Sequence, residues 1–463
     1  MRFITCVLFI ALIFAGPIRF DVAQAAGKAE GSGKDKAQQF VPKGKYAYDD
    51  FEPSDRCSSC HKTLYHQYQA SAMAKAQILA WDQAEYFKIL LPHIQKNPDM
   101  KELEGACIRC HAPVAYMAGD VPPPKKGKAN PKADGVTCDV CHTMTGYMGD
   151  RPHNGNYRVE PGDIKYGPRK AVESYHHDSE YRSIQTSAEM CGTCHDETSF
   201  YGAWVKETYQ EWKQSAYAEA NIQCMDCHEP PAGGKASPMG PERSDVTQHL
   251  FLGGNAPEWM NGAAVIGVYP QSRDVSPGSS LTFQIVVVNQ RAGHRIPTGS
   301  TEERQVWLHV EVVDPEGKHH HVKASLAPGD SPEKKYSVAT NQPAYKDLGK
   351  MMGLKDFKGI PRDALPEGDR LYRKVFLNPK GQETIAQWFA KRTDVFDNRL
   401  QPLEARLEAY EWNVPKEMTK GELVIQATLN YRRLPQSVAD LVEIGTIPVI
   451  EIGTDQERVQ VKR

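Results

Sequence analysis

The pattern of apolar and polar positions changes character near residue 265. Beyond it, Leu281 to Val288 is a β-branched run, and Val306, Leu308, Val310 and Val312 alternate with Trp307, His309 and Glu311. Alternation with a period of two puts successive side chains on opposite faces of a strand and predicts half-buried β-structure. Asp314-Pro315-Glu316-Gly317 then forms a turn, and Leu423, Ile425, Ala427, Leu429 and Tyr431 alternate again near the end. Strands punctuated by turns predict an antiparallel β-sandwich of immunoglobulin-like size over 265–463, with room for long loops. Before residue 265 the pattern predicts short helices and loops. His61 to Ala80 has helical composition, with Leu64, Tyr68, Ala72 and Ile78 near one stripe. The expected fold class is α+β: a mainly helical and loop-rich part over 46–260, followed by the sandwich.

The first 25 residues read as a secretory signal, with Arg2 as a minimal positive start, Phe3 to Ala15 apolar, and Ala23-Gln24-Ala25 as a small-residue cleavage site. The apolar stretch is too short to span a bilayer comfortably, and Pro17 and Arg19 make the leader slightly atypical. Residues 26–45, rich in Gly, Lys and Ala, read as a flexible tether. No later segment is apolar enough to be transmembrane. The expectation is a protein exported to the periplasm, or secreted or held on the outer surface of a bacterium, and not integral to a membrane.

Charge narrows the partners. The net charge of -2 and pI near 6.8 argue against dedicated binding to nucleic acid or an anionic membrane. Val121 to Pro131 is a basic, proline-rich stretch that reads as a solvated surface loop in preference to a docking patch. Only 40% of the 463 residues are apolar, which leaves part of the core to be supplied from elsewhere.

The cysteines supply that part. Ten of the eleven fall in five copies of Cys-x-x-Cys-His: Cys57, Cys60 and His61; Cys107, Cys110 and His111; Cys138, Cys141 and His142; Cys191, Cys194 and His195; Cys224, Cys227 and His228. The remaining one, Cys6, lies in the leader. Zinc knuckles come in pairs, whereas here the count is odd and every copy carries an adjacent His. The signature is that of c-type haem attachment, in which two thiols form thioethers and the histidine is an axial ligand. Five covalently attached haems are therefore expected, each supplying a large flat apolar surface. First cysteines are separated by 50, 31, 53 and 33 residues, a rhythm that suggests a duplicated two-haem unit preceded by a single one.

What fills each iron's second axial position decides between electron transfer and catalysis. Eleven histidines lie outside the motifs. His294, in the stiff Gly293-His294-Arg295-Ile296-Pro297-Thr298-Gly299 loop after a strand, is a candidate to reach back from the β-part; its alternative is a loop histidine bonded to backbone. His249 has apolar neighbours suited to a haem face. His176 and His177 are adjacent, so one of the two is expected to face a haem. His66, five residues after a motif, reads as a surface residue. The His319 to His321 run, after a hairpin turn, reads as a solvated strand end in preference to a metal site.

The segments Cys57 to Ala74, Cys107 to Pro113, Gly135 to Thr143, Ser187 to Asp196, Thr208 to Pro230 and Gly293 to Gly299 resemble the multihaem cytochrome c superfamily. That superfamily includes the tetrahaem electron acceptor of hydroxylamine oxidoreductase, and the likeness is to its subgroup with a C-terminal β-domain. It implies His294 as a distal ligand. Many relatives carry Ser-x-His after the first motif with that histidine on iron. Here the position is Met73, whose thioether would ligate in its place and raise that haem's potential, or else would simply pack. A comparable position near the fifth motif carries Tyr217.

Three functions follow. The first is an electron carrier, with haems close together within the 172 residues from Cys57 to His228. Its partners would be redox proteins, either a quinol-linked donor or other multihaem cytochromes. The second is an oxidoreductase acting on a small nitrogen or sulfur compound at one open haem. Pentahaem nitrite reductases use Cys-x-x-Cys-Lys at the catalytic haem, whereas all five motifs here end in His. The third is a subunit of a haem-lined filament, for which oligomerisation would be needed.

Overall fold

The computed structural model describes residues 41–124, 130–170, 172–326 and 331–462. The leader, most of the tether and the centre of the basic proline-rich loop lie outside the described residues. Residues 39–463 cluster as one compact unit.

Four of the five motifs close a short helix: Leu103–His111, Cys138–His142, Ala188–His195 and Cys224–His228. At 3.6 residues per turn, positions i, i+3 and i+4 share one helix face, so both thiols and the imidazole emerge on the same side. The first motif keeps that turn without a continuous helix: Ser54–Cys57 is followed by a bend, and the His61 amide still donates to the Cys57 carbonyl at 2.8 Å. The helix expected over His61 to Ala80 is shorter than that, Lys62–Ala70, because the chain turns extended at Ser71 before a single tight turn at Met73–Lys75.

Two sheets dominate the C-terminal half. In the larger, Asp274–Val275, Val449–Val461, Gly421–Arg432 and Gln305–Val313 lie side by side, and His319–His321 and Arg370–Tyr372 sit in tandem on the free edge of Gln305–Val313. The smaller is Ala405–Asn413, Ser280–Val288 and Val265–Pro270. All pairings within these sheets are antiparallel except Asp274–Val275 with Val449–Val461. The expected alternation is visible as burial: Val306, Leu308, Val310 and Val312 join Leu281, Phe283, Ile285 and Val287 from the smaller sheet in one core. Trp307, on the opposite face, is also buried, in a cluster with Leu371 of the paired strand Arg370–Tyr372 and with Ala339 and Leu365 from the long loops. The fold is α+β, with several further two-stranded pairs in the motif-bearing half.

A second core ignores the change of character in the sequence. Trp81, Tyr86, Ile89, Leu90, Ile108 and Met117 pack with Leu348, Met351, Trp388, Leu434, Val438 and Val442. Trp388 is 3% exposed and its indole N–H donates to Glu85 Oε1 at 3.1 Å, joining residues 303 apart in sequence. Trp388→Ala should cost about 3–5 kcal/mol, from lost burial and the cavity left behind. Chemical denaturation of the haem-loaded protein checks this, and Trp388→Phe should lose markedly less.

Candidate functional site: facing imidazoles along an internal cavity

A cavity of about 1050 Å³ is lined by residues of the second to fifth motifs and by the His249 and His294 loops. Around it the structure brings histidines together in pairs. His61 and His177 have ring centres 6.4 Å apart with planes 30° from parallel. The His142 and His249 rings are 6.1 Å apart at 14°, and those of His228 and His294 6.3 Å apart at 17°.

That spacing can be tested against a haem iron. A ligating imidazole nitrogen sits about 2 Å from its metal and about 1 Å from its own ring centre, so two rings on opposite faces of one iron have centres about 6 Å apart. All three pairs meet this requirement, whereas stacked rings in contact would be much closer.

Ring orientation meets it too. Nδ1 of His61 is 2.9 Å from the Ala236 carbonyl, Nδ1 of His142 2.8 Å from Tyr166, and Nδ1 of His228 bonds to Leu252. On the facing side, Nδ1 of His177, His249 and His294 meets the carbonyls of Asp178, Thr247 and Arg295 at 3.0, 3.2 and 2.9 Å. A carbonyl only accepts, so each Nδ1 carries the proton and each Nε2 lone pair is free to ligate. Burial pushes His249 down to about 4, helped by the neighbouring His142, which keeps the ring in the neutral form a metal needs.

The three facing histidines all sit beside β-structure. His177 precedes Asp178–Tyr181, His249 follows Arg243–Thr247, and His294 lies in the loop after Ser280–Val288. The last loop is clamped. Glu211, on helix Thr208–Lys213, accepts from the Arg295 amide at 3.2 Å and the Thr298 hydroxyl at 2.6 Å, and pairs with the buried Arg399 guanidinium at 2.5 Å. At Gly293 a Cβ would come within 3.2 Å of the Tyr217 ring, a tight approach that glycine avoids. The Tyr217 hydroxyl donates to the Gln290 carbonyl at 2.9 Å, a loop-fastening role.

The other sequence candidates are placed differently. His176 is exposed and edge-on to His177, so His177 is the one of the adjacent pair that faces a motif histidine. Met73 is half-buried, lines the cavity and packs against the large core. His66 is exposed. His93, which sequence reasoning passed over, is buried beside Trp388 and Phe389, away from the cavity lining.

The second and fourth motifs stand apart. Sixteen histidines exist, all within the described residues, and none is recorded facing His111 or His195 across such a gap. His195 is pushed down to about 4 by burial, with the buried Lys206 and the nearby His228 adding. His111 differs in its support: its Nδ1 meets the Asp82 carboxylate at 2.9 Å as well as the Ala76 carbonyl at 3.1 Å. Burial alone would raise the Asp82 carboxyl, but the bond to His111 holds it below the ordinary value. A carboxylate behind a ligating imidazole makes the ring more basic and a better donor to the metal.

The motif sulfurs, free thiols in this structure and standing where thioether sulfurs would be, reveal which motifs are neighbours. Cys57 lies beside Cys138, Cys110 beside Cys194, and Cys191 beside Cys224. Cys141 lies close enough to Cys191 and Cys194 to feel their charge. The neighbouring sulfurs therefore link first to third, and fourth to both second and fifth, with the third and fourth motifs near each other. Only the fourth–fifth contact follows the pairing that the spacing rhythm suggests.

Residues 56–143 match the model of the cytochrome c554 and c-prime family. No curated protein matches. Among solved structures, a penta-heme cytochrome c552 from Thermochromatium tepidum superposes with TM-score 0.59 at 18% identity, covering 89% of this chain and 99% of that one. A putative membrane anchored protein from Corynebacterium diphtheriae gives 0.20 at 12% identity over 49% of this chain and 44% of its own, too low to bear on the fold. With the five signatures, these likenesses support a multihaem c-type cytochrome. The motifs would supply thioether attachment and proximal imidazoles, and the spacing of the paired rings fits a haem iron.

Asp82→Asn should raise one midpoint potential by on the order of 60 mV, the one-electron equivalent of about 1.4 kcal/mol, because a neutral amide supports ferric iron less well. Spectroelectrochemical titration should show the other transitions unmoved.

Proposed function

We propose that the chain is an exported electron-transfer cytochrome carrying five covalently attached c-type haems. The observation that carries this reading is the set of three near-parallel imidazole pairs, 6.1–6.4 Å apart, each with Nδ1 tied to a carbonyl. Two strong nitrogen ligands make a low-spin iron that exchanges electrons with little rearrangement. His61, His111, His142, His195 and His228 are the proximal ligands in this proposal, and His177, His249 and His294 the distal ligands of the first, third and fifth haems. Sulfur contacts link all five motifs, so the haems form one connected path with the fourth at its junction. The penta-heme character of the Thermochromatium tepidum cytochrome supports the count. The leader at 1–25 supports export to the periplasm or beyond, and among the described residues no helix is long and apolar enough to cross a membrane. In this reading residues 46–260 form the haem-bearing domain. The two sheets of 265–463 form a β-sandwich whose His294 loop closes the fifth haem.

A second reading, oxidoreductase chemistry at an open haem, is favoured by the cavity beside His111. Burial pushes the Glu85 carboxyl well above its ordinary value, with Glu303 and Asp82 adding, and raises Glu303 as well. Carboxyls whose proton is held more tightly than usual, on the cavity wall with His111, are placed to deliver protons to a small nitrogen or sulfur species bound there.

Electron paramagnetic resonance of the oxidised protein should show at least three low-spin centres. His294→Ala should convert one of them to high spin while mass analysis still counts five haems. Unchanged spectra would remove His294 from the ligand set. Carbon monoxide, nitrite or hydroxylamine binding to the untouched protein would favour the second reading.

A further inference from the structure

The outer face of the larger sheet carries a group of side chains that haem binding does not use. In Gln305–Val313 the inward positions are Val306, Leu308, Val310 and Val312, so His309 and Glu311 point to the other face. The register Leu308↔Arg370 puts Asp369 opposite His309, and Glu311↔His321 brings His321 alongside Glu311. Three strand segments thus deliver His309, His321 and Asp369 to one spot, where one ligand atom from each lies within 4.8 Å of the others.

The contacts there leave a charge deficit. Asp369 is fully buried, with a carboxylate that meets His309 Nδ1 at 2.9 and 3.0 Å and His321 Nε2 at 2.8 Å. His309 Nε2 faces a second carboxylate, Glu311 Oε1, at 3.2 Å, and Glu311 Oε2 lies 2.9 Å from His319 Nδ1. A neutral imidazole has a single N–H to donate. His309, flanked by carboxylates at both nitrogens, therefore leaves one of them against a lone pair unless positive charge enters the site.

We propose that His309, His321 and Asp369 bind a divalent transition-metal ion of the zinc class, with Glu311 in reach of a fourth position. Imidazole with carboxylate suits such ions and not calcium or magnesium, which take oxygen ligands. Ligands about 2 Å from a tetrahedral zinc lie roughly 3.3 Å apart, near the spacing the Asp369 contacts already have. The ion supplies the missing charge and pins two three-residue edge strands, His319–His321 and Arg370–Tyr372, to the strand they share.

The test uses Zn²⁺ and the haem-loaded protein stripped of loosely held metal. Isothermal titration at neutral pH should show one equivalent bound, and zinc K-edge absorption, free of interference from haem iron, should show two imidazole scatterers. His321→Ala and the double variant His309→Ala with His321→Ala should weaken binding at least tenfold. His320→Ala should not, because His320 bonds to Asp314 and packs on Trp412 instead. Asp369→Asn should weaken it also, but a buried substitution can unfold the sheet, so the exposed-edge variant His321→Ala decides. No saturable zinc, or binding that survives the double variant, overturns the proposal and leaves the site to a protonated histidine.

Discussion

The candidate haem site depends on the direction in which six imidazoles point, and backbone carbonyls set it. Each Nδ1 is fixed by a carbonyl acceptor: distant in sequence for the motif histidines (Ala236 for His61, Tyr166 for His142, Leu252 for His228), and the flanking Asp178, Thr247 and Arg295 for the partners. A free imidazole rotates about two bonds and presents either nitrogen. Tied in this way it presents Nε2 alone, into a gap of one metal's width. The small two-stranded pairs of the motif-bearing half owe their purpose to this. Ile164–Gly167 provides the Tyr166 carbonyl, and its parallel neighbour Asp178–Tyr181 holds His177 in place.

The motif histidines were legible in the sequence because attachment chemistry and ligation sit within five consecutive residues. The facing histidines were legible only as candidates. Their pairing is a long-range fact, set by strands whose ends meet the motifs across 66 to 116 residues (228 to 294, 142 to 249, 61 to 177). Local pattern had no means of choosing between His176 and His177. The parallel strand that begins at Asp178 makes that choice by turning His177 inward. The β-rich half was plain from alternation, as in Val306 to Val312. Its share of the second core was not, since Trp388 and Leu348 sit in a single tight turn and a short helix whose partners are fixed only by tertiary packing.

The second and fourth motifs break the symmetry of the arrangement. Both lack a facing histidine, and their sulfurs touch through Cys110 and Cys194. A carrier needs only that its centres be close, so the proposed relay has no need of two motifs without a second imidazole. The same region gathers Asp82, Glu85, Glu303, Lys206 and Glu197, ionisable groups that a simple relay would gain nothing by burying. The pairing of Lys206 with Glu197 at 2.5 Å keeps one of those charges neutralised close to His195. Carrier and catalyst would thus differ in what reaches an iron held at these two motifs, while the other three motifs would serve either role equally.

The His294 loop shows how the two halves of the chain become one device. A ligand on a loop is useful only if the loop cannot drift, and the fastening is ionic. Arg399, 1% exposed at its side chain, holds Glu211 of the motif-bearing half and Asp397 of its own. Removing one partner of a buried pair strands the other's charge, a loss of about 3–5 kcal/mol. Glu211 also receives the Arg295 amide and the Thr298 hydroxyl, so the same carboxylate that joins the halves sets the loop's position one residue from the imidazole. Stability and loop position are therefore coupled at one residue, and the motif-bearing half acts through Glu211 on the His294 loop of the β-half.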